Sequence, residues 1–177
     1  MIDANTMTMT GKYDLSSKGG GCAGLALDAK NSILFATCRE KNNMIILSAA
    51  DGHILTDLPI GVGSDGATFN PATMEAFSSQ GDGTLTVVKE DSPTSFSVEQ
   101  TVATPARAKV LTLDTKTNRI LTITAEYGPT PAPPPPAGAA MPTGGPTGGP
   151  PSGMPAFMRG PRPPMIPGSF QILVIGK

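Results

Sequence analysis

Residues 25–37, "LALDAKNSILFAT", decide the fold of this chain. Two short apolar runs flank a polar turn, and the side chain of Asp28 stands at the start of that turn. The carboxylate of an Asp in this position can accept hydrogen bonds from backbone amides two residues further on, which holds a tight turn. The stretch therefore predicts two antiparallel strands joined by a short connection.

The same pattern recurs twice along the chain. Residues 67–79 read "ATFNPATMEAFSS" and residues 111–123 read "LTLDTKTNRILTI". The three anchors are Asp28, Asn70 and Asp114, and they are spaced about 42 and 44 residues apart. This period is typical of the four-stranded blades of β-propellers.

Further short strands are predicted between the anchors. They are "MIILS" (44–48), "HILTDLPIG" (53–61), "TLTVVKE" (84–90) and "SFSVEQTVAT" (95–104). The dipeptide Asp51-Gly52 between two apolar runs is a strong hairpin signal. Several of the runs are apolar on both faces, which is typical of strands that lie between stacked sheets. Each repeat therefore predicts four antiparallel strands.

The pattern predicts an all-β fold, a partial β-propeller of four-stranded antiparallel blades forming a single segment over residues 1–177. The segments are residues 1–16 as the outer strand of a preceding or shared blade, 22–61 and 64–104 as two blades, and 108–127 with 168–177 as the last blade. One N-terminal strand plus three C-terminal strands would make a complete blade. Closure of this kind removes exposed sheet edges.

A long Pro/Gly-rich stretch, residues 128–167, separates the strands of the last blade; the whole chain contains 19 Pro and 21 Gly. Residues 169–175, "SFQILVI", align with the third strands of the other repeats, so the stretch is predicted to be a disordered insertion within one sheet. Residues 133–136 favour polyproline II, which can dock on a partner's aromatic groove or act as a spacer.

Four methionines, Met141, Met154, Met158 and Met165, lie in or beside this stretch. Their thioethers could hold Cu(I), but their irregular spacing and the lack of nearby His or Cys disfavour a copper site.

Three other features suggest chemistry and are better explained as turns. The segment Gly81-Asp82-Gly83 resembles a phosphate loop, but a strand follows it where a helix is needed. Asp28, Asp65 and Asp82 offer oxygens to Ca²⁺ without the alternating acidic ligands of a calcium loop. His53 is the single histidine, which excludes a Ser-His-Asp triad or a His-rich zinc site within this sequence. We therefore predict no catalytic, cofactor-binding or metal-binding residue and no cofactor.

The two cysteines, Cys22 and Cys38, flank the first predicted hairpin. If Leu25 faces Phe35 and Leu27 faces Ile33, the same register places Cys22 opposite Cys38. A cross-strand disulfide is then possible and would fit an oxidising compartment. Two buried thiols remain the alternative, because the glycines at 19–21 could break the register.

Charge and hydropathy exclude two classes of partner. Thirteen basic and fourteen acidic residues give a net charge of -1, with no cluster of Lys and Arg that could neutralise a row of phosphates, so no nucleic acid partner is predicted. No window approaches the roughly 18 unbroken apolar residues of a membrane span. The N-terminal "MIDANTMTMT" has neither the basic nor the apolar region of a signal peptide.

Two stretches resemble the YVTN-type β-propeller repeat. Residues 57–79, "DLPIGVGSDGATFNPATMEAFSS", are similar to its "P-x-G" step followed by "a-x-x-x-[DN]-P", and residues 1–15, "MIDANTMTMTGKYDL", are similar to its "V-I-D-x-x-T" hairpin. The signature tetrapeptide is replaced by "FATC" (35–38), "FSSQ" (77–80) and "TITA" (122–125). The resemblance implies a C-terminal portion of about three blades from a longer, exported bacterial protein, and so a periplasmic or extracellular location.

The resemblance also implies a function. Members of this family look like binding or scaffolding proteins, so we expect a non-catalytic propeller that recognises an unknown protein or small-molecule ligand through its blade loops. The alternative is part of an enzyme or electron-transfer propeller whose haem, quinone or metal ligands lie in other blades. Self-association through unpaired blade edges is a further alternative, in which the first strand of one copy completes the last blade of another.

Overall fold

The computed structural model describes residues 1–131 and 163–176. The predictions for residues 133–136, Met141, Met154 and Met158, and for most of the Pro/Gly-rich insertion, fall outside these described residues. The strands are β1 Ile2–Asp3, β2 Thr8–Met9, β3 Cys22–Asp28, β4 Ile33–Cys38, β5 Asn43–Ser48, β6 Ile54–Pro59, β7 Ser64–Asn70, β8 Glu75–Gln80, β9 Thr84–Ser92, β10 Ser95–Ala103, β11 Leu111–Asp114, β12 Arg119–Thr124 and β13 Gln171–Ile175. No helix in the described parts of the chain has the length and apolar character to cross a membrane.

The repeats fold into three antiparallel sheets. The first sheet has the order β3-β4-β5-β6, the second has the order β7-β8-β9-β10, and the third has the order β11-β12-β13. Every neighbouring pair of strands is antiparallel, as the hairpin signals predict. The all-β class and the four-stranded blades predicted from the sequence are confirmed, and the third sheet has three strands among the described residues.

The first and second sheets pack face to face through an aromatic core. Phe35 is 0% exposed and stacks on Phe69 with the ring centroids 5.3 Å apart, while Phe96 meets it edge-on at 6.0 Å. The strands β3 and β7 lie side by side in this interface. Gly24 is needed here, because a Cβ at this position would lie 2.9 Å from the backbone nitrogen of Ala67.

The second and third sheets pack through a separate apolar cluster. Phe77, Leu85 and Val87 of the second sheet contact Ile120 of the third, with Ile175 at the margin of the cluster. The strands β7 and β11 are neighbours, as β3 and β7 are. The first strands of the three sheets are therefore adjacent in sequence order, which is the arrangement of consecutive propeller blades.

The N-terminal residues form a hairpin of their own. Strands β1 and β2 make a two-stranded sheet, and the following residues Tyr13 and Leu15 pack on the face of the first sheet that points away from the second. The Tyr13 hydroxyl donates to the carbonyl oxygen of Ala49 at 3.0 Å. Within the described residues, β1 and β2 pair with each other and not with a strand of the third sheet.

Residues Ala125–Ser169 form a second compact unit, separate from Met1–Thr124 with Phe170–Lys177. In its described part, the amide of Gly128 donates to the carbonyl oxygen of Pro164, and the amide of Ile166 donates to that of Glu126, both at 2.8 Å. Tyr127 and Met165 form an isolated antiparallel bridge between these two bonds. The two ends of the insertion are thus held together by a short hydrogen-bonded stem.

Because the stem already joins the two ends of the insertion, we predict that the fold does not need residues 129–163. We expect a variant in which residues 129–163 are replaced by Asn-Gly to unfold at the same temperature as the parent chain or higher. The stem already brings Gly128 and Pro164 together, Asn-Gly favours a two-residue hairpin turn, and a shorter loop costs less closure entropy. Thermal unfolding followed by circular dichroism measures this, and a fall of more than about 5 °C would show that the deleted residues stabilise the sheet.

Candidate functional site

An open groove with a volume of about 590 Å³ lies between the second and third sheets. Its floor is apolar and is formed by Phe77, Leu85, Val87, Val102, Ile120 and Ile175. Polar side chains stand around this floor, among them Thr73, Glu75, Glu99, Gln100, Thr117 and Asn118. An apolar floor with a few polar groups around it is the usual character of a binding site.

The charged groups at the groove are carboxylates. Glu75 accepts a hydrogen bond from the Thr73 hydroxyl at 2.7 Å, and Glu99 is exposed. Lys89 lies opposite Glu75 across β8 and β9, but its ammonium donates to the carbonyl oxygen of Thr73. None of the described residues that line the groove is basic. The groove therefore favours an apolar occupant that carries positive charge.

Among the described residues, the third sheet has three strands, one fewer than the first and second sheets. At the interface between the first and second sheets, the fourth strand β6 supplies Leu55 and Leu58 to the core. In the third sheet, β13 is the last strand, and within the described residues its outer edge pairs with nothing. An unpaired edge offers a row of backbone donors and acceptors to another strand. Ile175 of β13 lines the groove, and we call the groove together with the outer edge of β13 the groove–edge site.

The three anchors predicted from the sequence lie at equivalent turns. The Oδ1 atoms of Asp28, Asn70 and Asp114 accept from backbone amides two residues on, at 2.9, 3.0 and 3.0 Å. Four residues after each anchor, Ser32, Met74 and Asn118 have positive φ angles of 55°, 54° and 56°. The shared geometry shows that one turn type is used three times.

Asp114 illustrates the electrostatics of these turns. The hydroxyl of Thr117 donates to its Oδ2 at 2.6 Å and the amide of Lys116 donates to its Oδ1. Hydrogen bonds to a carboxylate stabilise its charged form, and these two, the Thr117 bond first, lower the pKa of Asp114 below its ordinary value. The anchors are thus structural groups at the turns.

The structure joins Cys22 and Cys38 by a disulfide. The register expected from the sequence is wrong by one residue, since Leu25 lies opposite Ala36 and Leu27 opposite Leu34. A β-bulge between Cys22 and Gly24 adds one residue to β3 and brings Cys22 opposite Cys38. Cys22 therefore lies opposite Cys38 because of a bulge that the sequence pattern did not contain.

Of the remaining residues considered from the sequence, Asp82 lies in the β8–β9 turn, His53 lies in the connection between β5 and β6, and Asp65 lies at the start of β7. Asp82 accepts from the amides of Val62 and Thr84 at 2.6 and 3.1 Å, within the β8–β9 turn that also contains Gly83 with φ of 95°. Asp65 pairs with Arg39. His53 and Met165 are exposed. Among the described residues, no three His, Cys, Asp or Glu side chains lie close enough to hold a metal ion.

A buried pair of carboxyl groups was missed by the sequence analysis. Glu90 on β9 is 2% exposed and Asp28 on β3 is 1% exposed, and the two carboxyls face each other across the first and second sheets. Asn31 donates to Glu90 Oε1 at 2.7 Å, while Asp28 Oδ2 and Glu90 Oε2 have no hydrogen-bond partner. Burial, first, and the neighbouring Asp28 carboxylate raise the pKa of Glu90 above its ordinary value of 4.5.

The raised pKa predicts that the charge of Glu90 destabilises the chain at neutral pH. Between pH 4.5 and the raised pKa, the folded state binds a proton at Glu90 that the unfolded state has lost, so stability falls as the pH rises through this window. The side-chain amide introduced by Glu90→Gln would keep the bond from Asn31 and offer an N–H to Asp28 Oδ2. We therefore expect Glu90→Gln to raise the unfolding midpoint at pH 7, with the gain shrinking as the pH falls from the raised pKa towards 4.5.

Urea denaturation of both chains from pH 4 to pH 8 measures the effect. Glu99→Gln is the matched control, because it removes an exposed carboxylate from the same sheet. A Glu90→Gln variant that is less stable than the parent at pH 7 would contradict the predicted repulsion.

The fold and the groove–edge site define the class of protein: an all-β chain of consecutive propeller-type blades. No protein-family model matches the sequence, and no curated protein matches it. Among solved structures, the chain is similar to hydrazine synthase from Kuenenia stuttgartiensis, with a TM-score of 0.61 and 12% identity over 73% of this chain and 36% of that one. It is also similar to a protein from Lactobacillus plantarum, with a TM-score of 0.53 and 18% identity over 68% of this chain and 39% of that one.

These similarities support the propeller-type fold. The chain spans between a third and two-fifths of the length of the two solved structures that it matches. Similarity at such low identity establishes architecture, because a single fold hosts many functions.

Proposed function

We propose that this chain is a non-catalytic β-propeller module of the YVTN-type repeat family that binds a protein strand at the groove–edge site. The single observation that carries the proposal is an open groove of about 590 Å³ beside the third sheet, in which the outer edge of β13 pairs with no strand among the described residues. A strand that adds to a free sheet edge gains main-chain hydrogen bonds, while pockets for its alternate side chains give specificity. This favours a protein over a small molecule as the ligand.

The proposal includes export. The disulfide between Cys22 and Cys38 supports a periplasmic or extracellular location, because disulfides persist in oxidising compartments and are rare in the cytosol. The family resemblance of the repeats supports the same location. Determination of the thiol content in protein isolated from its natural compartment tests this part, and two free thiols would speak against it.

A second candidate function is part of an enzyme or electron-transfer propeller whose cofactor ligands lie in other blades. The structural similarity to hydrazine synthase supports this second candidate, because the name of that protein describes an enzyme. Absorbance spectra and metal analysis of any longer natural form of this protein separate the two, because haem or bound metal would support the second candidate.

A labelled peptide tests the binding function. The probe is a short fluorescein-labelled peptide in which valine and lysine alternate, and the control probe carries glutamate in place of lysine. We expect the lysine peptide to bind with a Kd of roughly 0.1 mM, equivalent to about 5.5 kcal/mol. The double variant Glu75→Gln, Glu99→Gln should bind it several-fold more weakly, because it loses the attraction between the rim carboxylates and lysine.

Fluorescence anisotropy at low protein concentration measures the binding. Equal binding of the lysine and glutamate peptides, or no binding of either at millimolar concentration, would remove the support for a strand-binding groove.

A further inference from the structure

We propose that the first and second sheets hold a calcium ion between them, bound by the carboxylates of Asp28 and Glu90 and by the side-chain amide of Asn31. This site is separate from the groove, which lies between the second and third sheets. The proposal does not rest on the proposed function. It assigns a ligand to two buried carboxylate oxygens that neither the turns nor the groove uses.

The first argument is the burial of these two oxygens without a partner. Asp28 is 1% exposed and Glu90 is 2% exposed, and Oδ2 of Asp28 and Oε2 of Glu90 accept no hydrogen bond. Neither side chain forms an ion pair with a Lys, Arg or His among the described residues. Buried charges in proteins are paired or coordinate metal ions. The ionised pair therefore lacks a cation.

The second argument is that the two carboxyls converge from different sheets. Asp28 ends β3 in the first sheet, and Glu90 lies on β9 in the second. Burial is the largest cause of the raised pKa of Glu90, and the Asp28 carboxyl adds to it by its charge and by a hydrogen-bonding contact. Two carboxylates this close repel each other when both are ionised. A divalent cation between them replaces that repulsion by two attractions.

Asn31 supplies a third oxygen ligand. Its Nδ2 atom donates to Glu90 Oε1 at 2.7 Å, so its amide group already borders the pair. A half-turn of this amide presents the carbonyl oxygen Oδ1 in place of Nδ2. Asn31 is half-buried, and its neighbours Lys30 and Ser32 are exposed. Water has access from this side and completes the coordination of the ion.

The ligand set selects calcium. All three side chains offer oxygen, and carboxylates with amide carbonyls are the ligands of the hard cations Ca²⁺ and Mg²⁺. Magnesium demands near-ideal octahedral geometry and keeps several waters, whereas calcium accepts irregular sets of oxygens. Two almost dry carboxylates from different sheets suit calcium better. Because only two ligands are charged, we expect a dissociation constant of roughly 1 mM, in the range of extracellular calcium modules.

The repeat provides a variant that keeps the turn. Asn70 occupies the equivalent position in the second sheet, where its Oδ1 accepts from a backbone amide at 3.0 Å, compared with 2.9 Å at Asp28. Asp28→Asn is therefore expected to preserve the turn while it removes one of the two charges. Glu90→Gln removes the other charge and keeps the hydrogen bond from Asn31.

Thermal unfolding at pH 7, in chelator or in about 10 mM calcium chloride, tests the site, with sodium chloride added to equal ionic strength. We expect calcium to raise the unfolding temperature of the parent chain by about 3–6 °C, since an ion that binds only the folded state stabilises it. Asp28→Asn and Glu90→Gln should each lose most of this rise. Glu99→Gln is the matched control and should keep it, because Glu99 is an exposed carboxylate of the same sheet.

Nuclear magnetic resonance of the isotope-labelled chain locates the ion. On titration with calcium chloride, the amide signals of Asn31, Glu90 and their neighbours should shift most in the parent chain and should not shift in Glu90→Gln. No rise in the unfolding temperature of the parent, or a rise that persists in both variants, would overturn the site. A rise in magnesium chloride as large as in calcium chloride would overturn the choice of ion.

The comparison with Glu90→Gln also distinguishes a bound ion from a shared proton. In chelator, this variant is expected to be more stable than the parent chain, as the raised pKa of Glu90 predicts. Calcium should reduce or remove that advantage, because only the parent binds the ion. An advantage of the same size with and without calcium would show that the pair holds a proton alone, and the calcium site would then be rejected.

Discussion

Phe35→Ala should lower the free energy of unfolding by about 3–5 kcal/mol, the cost of truncating a fully buried phenylalanine. Phe35 is 0% exposed and contacts aromatic rings from two other strands, Phe69 on β7 and Phe96 on β10. The truncation leaves a cavity between the first and second sheets and removes both ring contacts. Because small domains are stable by only about 5–15 kcal/mol, this single change brings the chain close to unfolding.

Urea denaturation at one fixed protein concentration measures this loss, since association would otherwise shift the apparent stability. Phe170→Ala is the matched control, because it makes the same truncation at a side chain that is 57% exposed. The control should change the stability by less than about 0.5 kcal/mol. A loss below about 1 kcal/mol in Phe35→Ala would show that the two sheets do not depend on this aromatic core.

Removal of the disulfide should cost about 3 kcal/mol. Cys22 and Cys38 are 16 residues apart in the sequence, and a cross-link that closes a loop of this length restricts the unfolded chain by roughly that amount. The double variant Cys22→Ala, Cys38→Ala is preferred to serine, because Cys38 is fully buried and a hydroxyl there would lose its hydrogen bonds to water.

Thermal unfolding with and without dithiothreitol provides the control within the same experiment. The parent chain should lose stability when the reductant is added, and the double alanine variant should not respond to it. Alkylation without reductant should modify no thiol in the folded or the unfolded parent chain. Two modified thiols would show that the cysteines are free and would remove the basis of the predicted loss.

The elements that the sequence predicted best are those held by local interactions. The hairpins at Asp28, Asn70 and Asp114 depend on a side chain and an amide two residues apart, so the pattern within each turn is sufficient. The final strand β13 was also predicted across the long Pro/Gly-rich stretch. The apolar run at its position matches the third strands of the other repeats, and a repeat carries information about pairing that a single strand lacks.

Long-range features were predicted less well. The β3–β4 register depends on a bulge between Cys22 and Gly24, where the small residues Ala23 and Gly24 give no clear apolar alternation from which the extra residue could be predicted. The contact between Asn31 and Glu90 joins residues 59 positions apart, and only the packing of two sheets brings them together. The groove had no signal in the sequence, because its floor residues are those of ordinary strands.

By itself, the sequence determined the all-β class, the blade period, the turn anchors and the place of β13, because each follows from hydrogen bonds and side-chain alternation within one hairpin or from repetition of that hairpin. Only the tertiary structure decided that Glu90 faces Asp28 and that Tyr13 and Leu15 cover the first sheet. It also decided that, among the described residues, the edge of β13 beside the groove pairs with no strand. These features arise where sheets pack on one another, and sheet packing depends on shape and burial between residues that are distant in the chain.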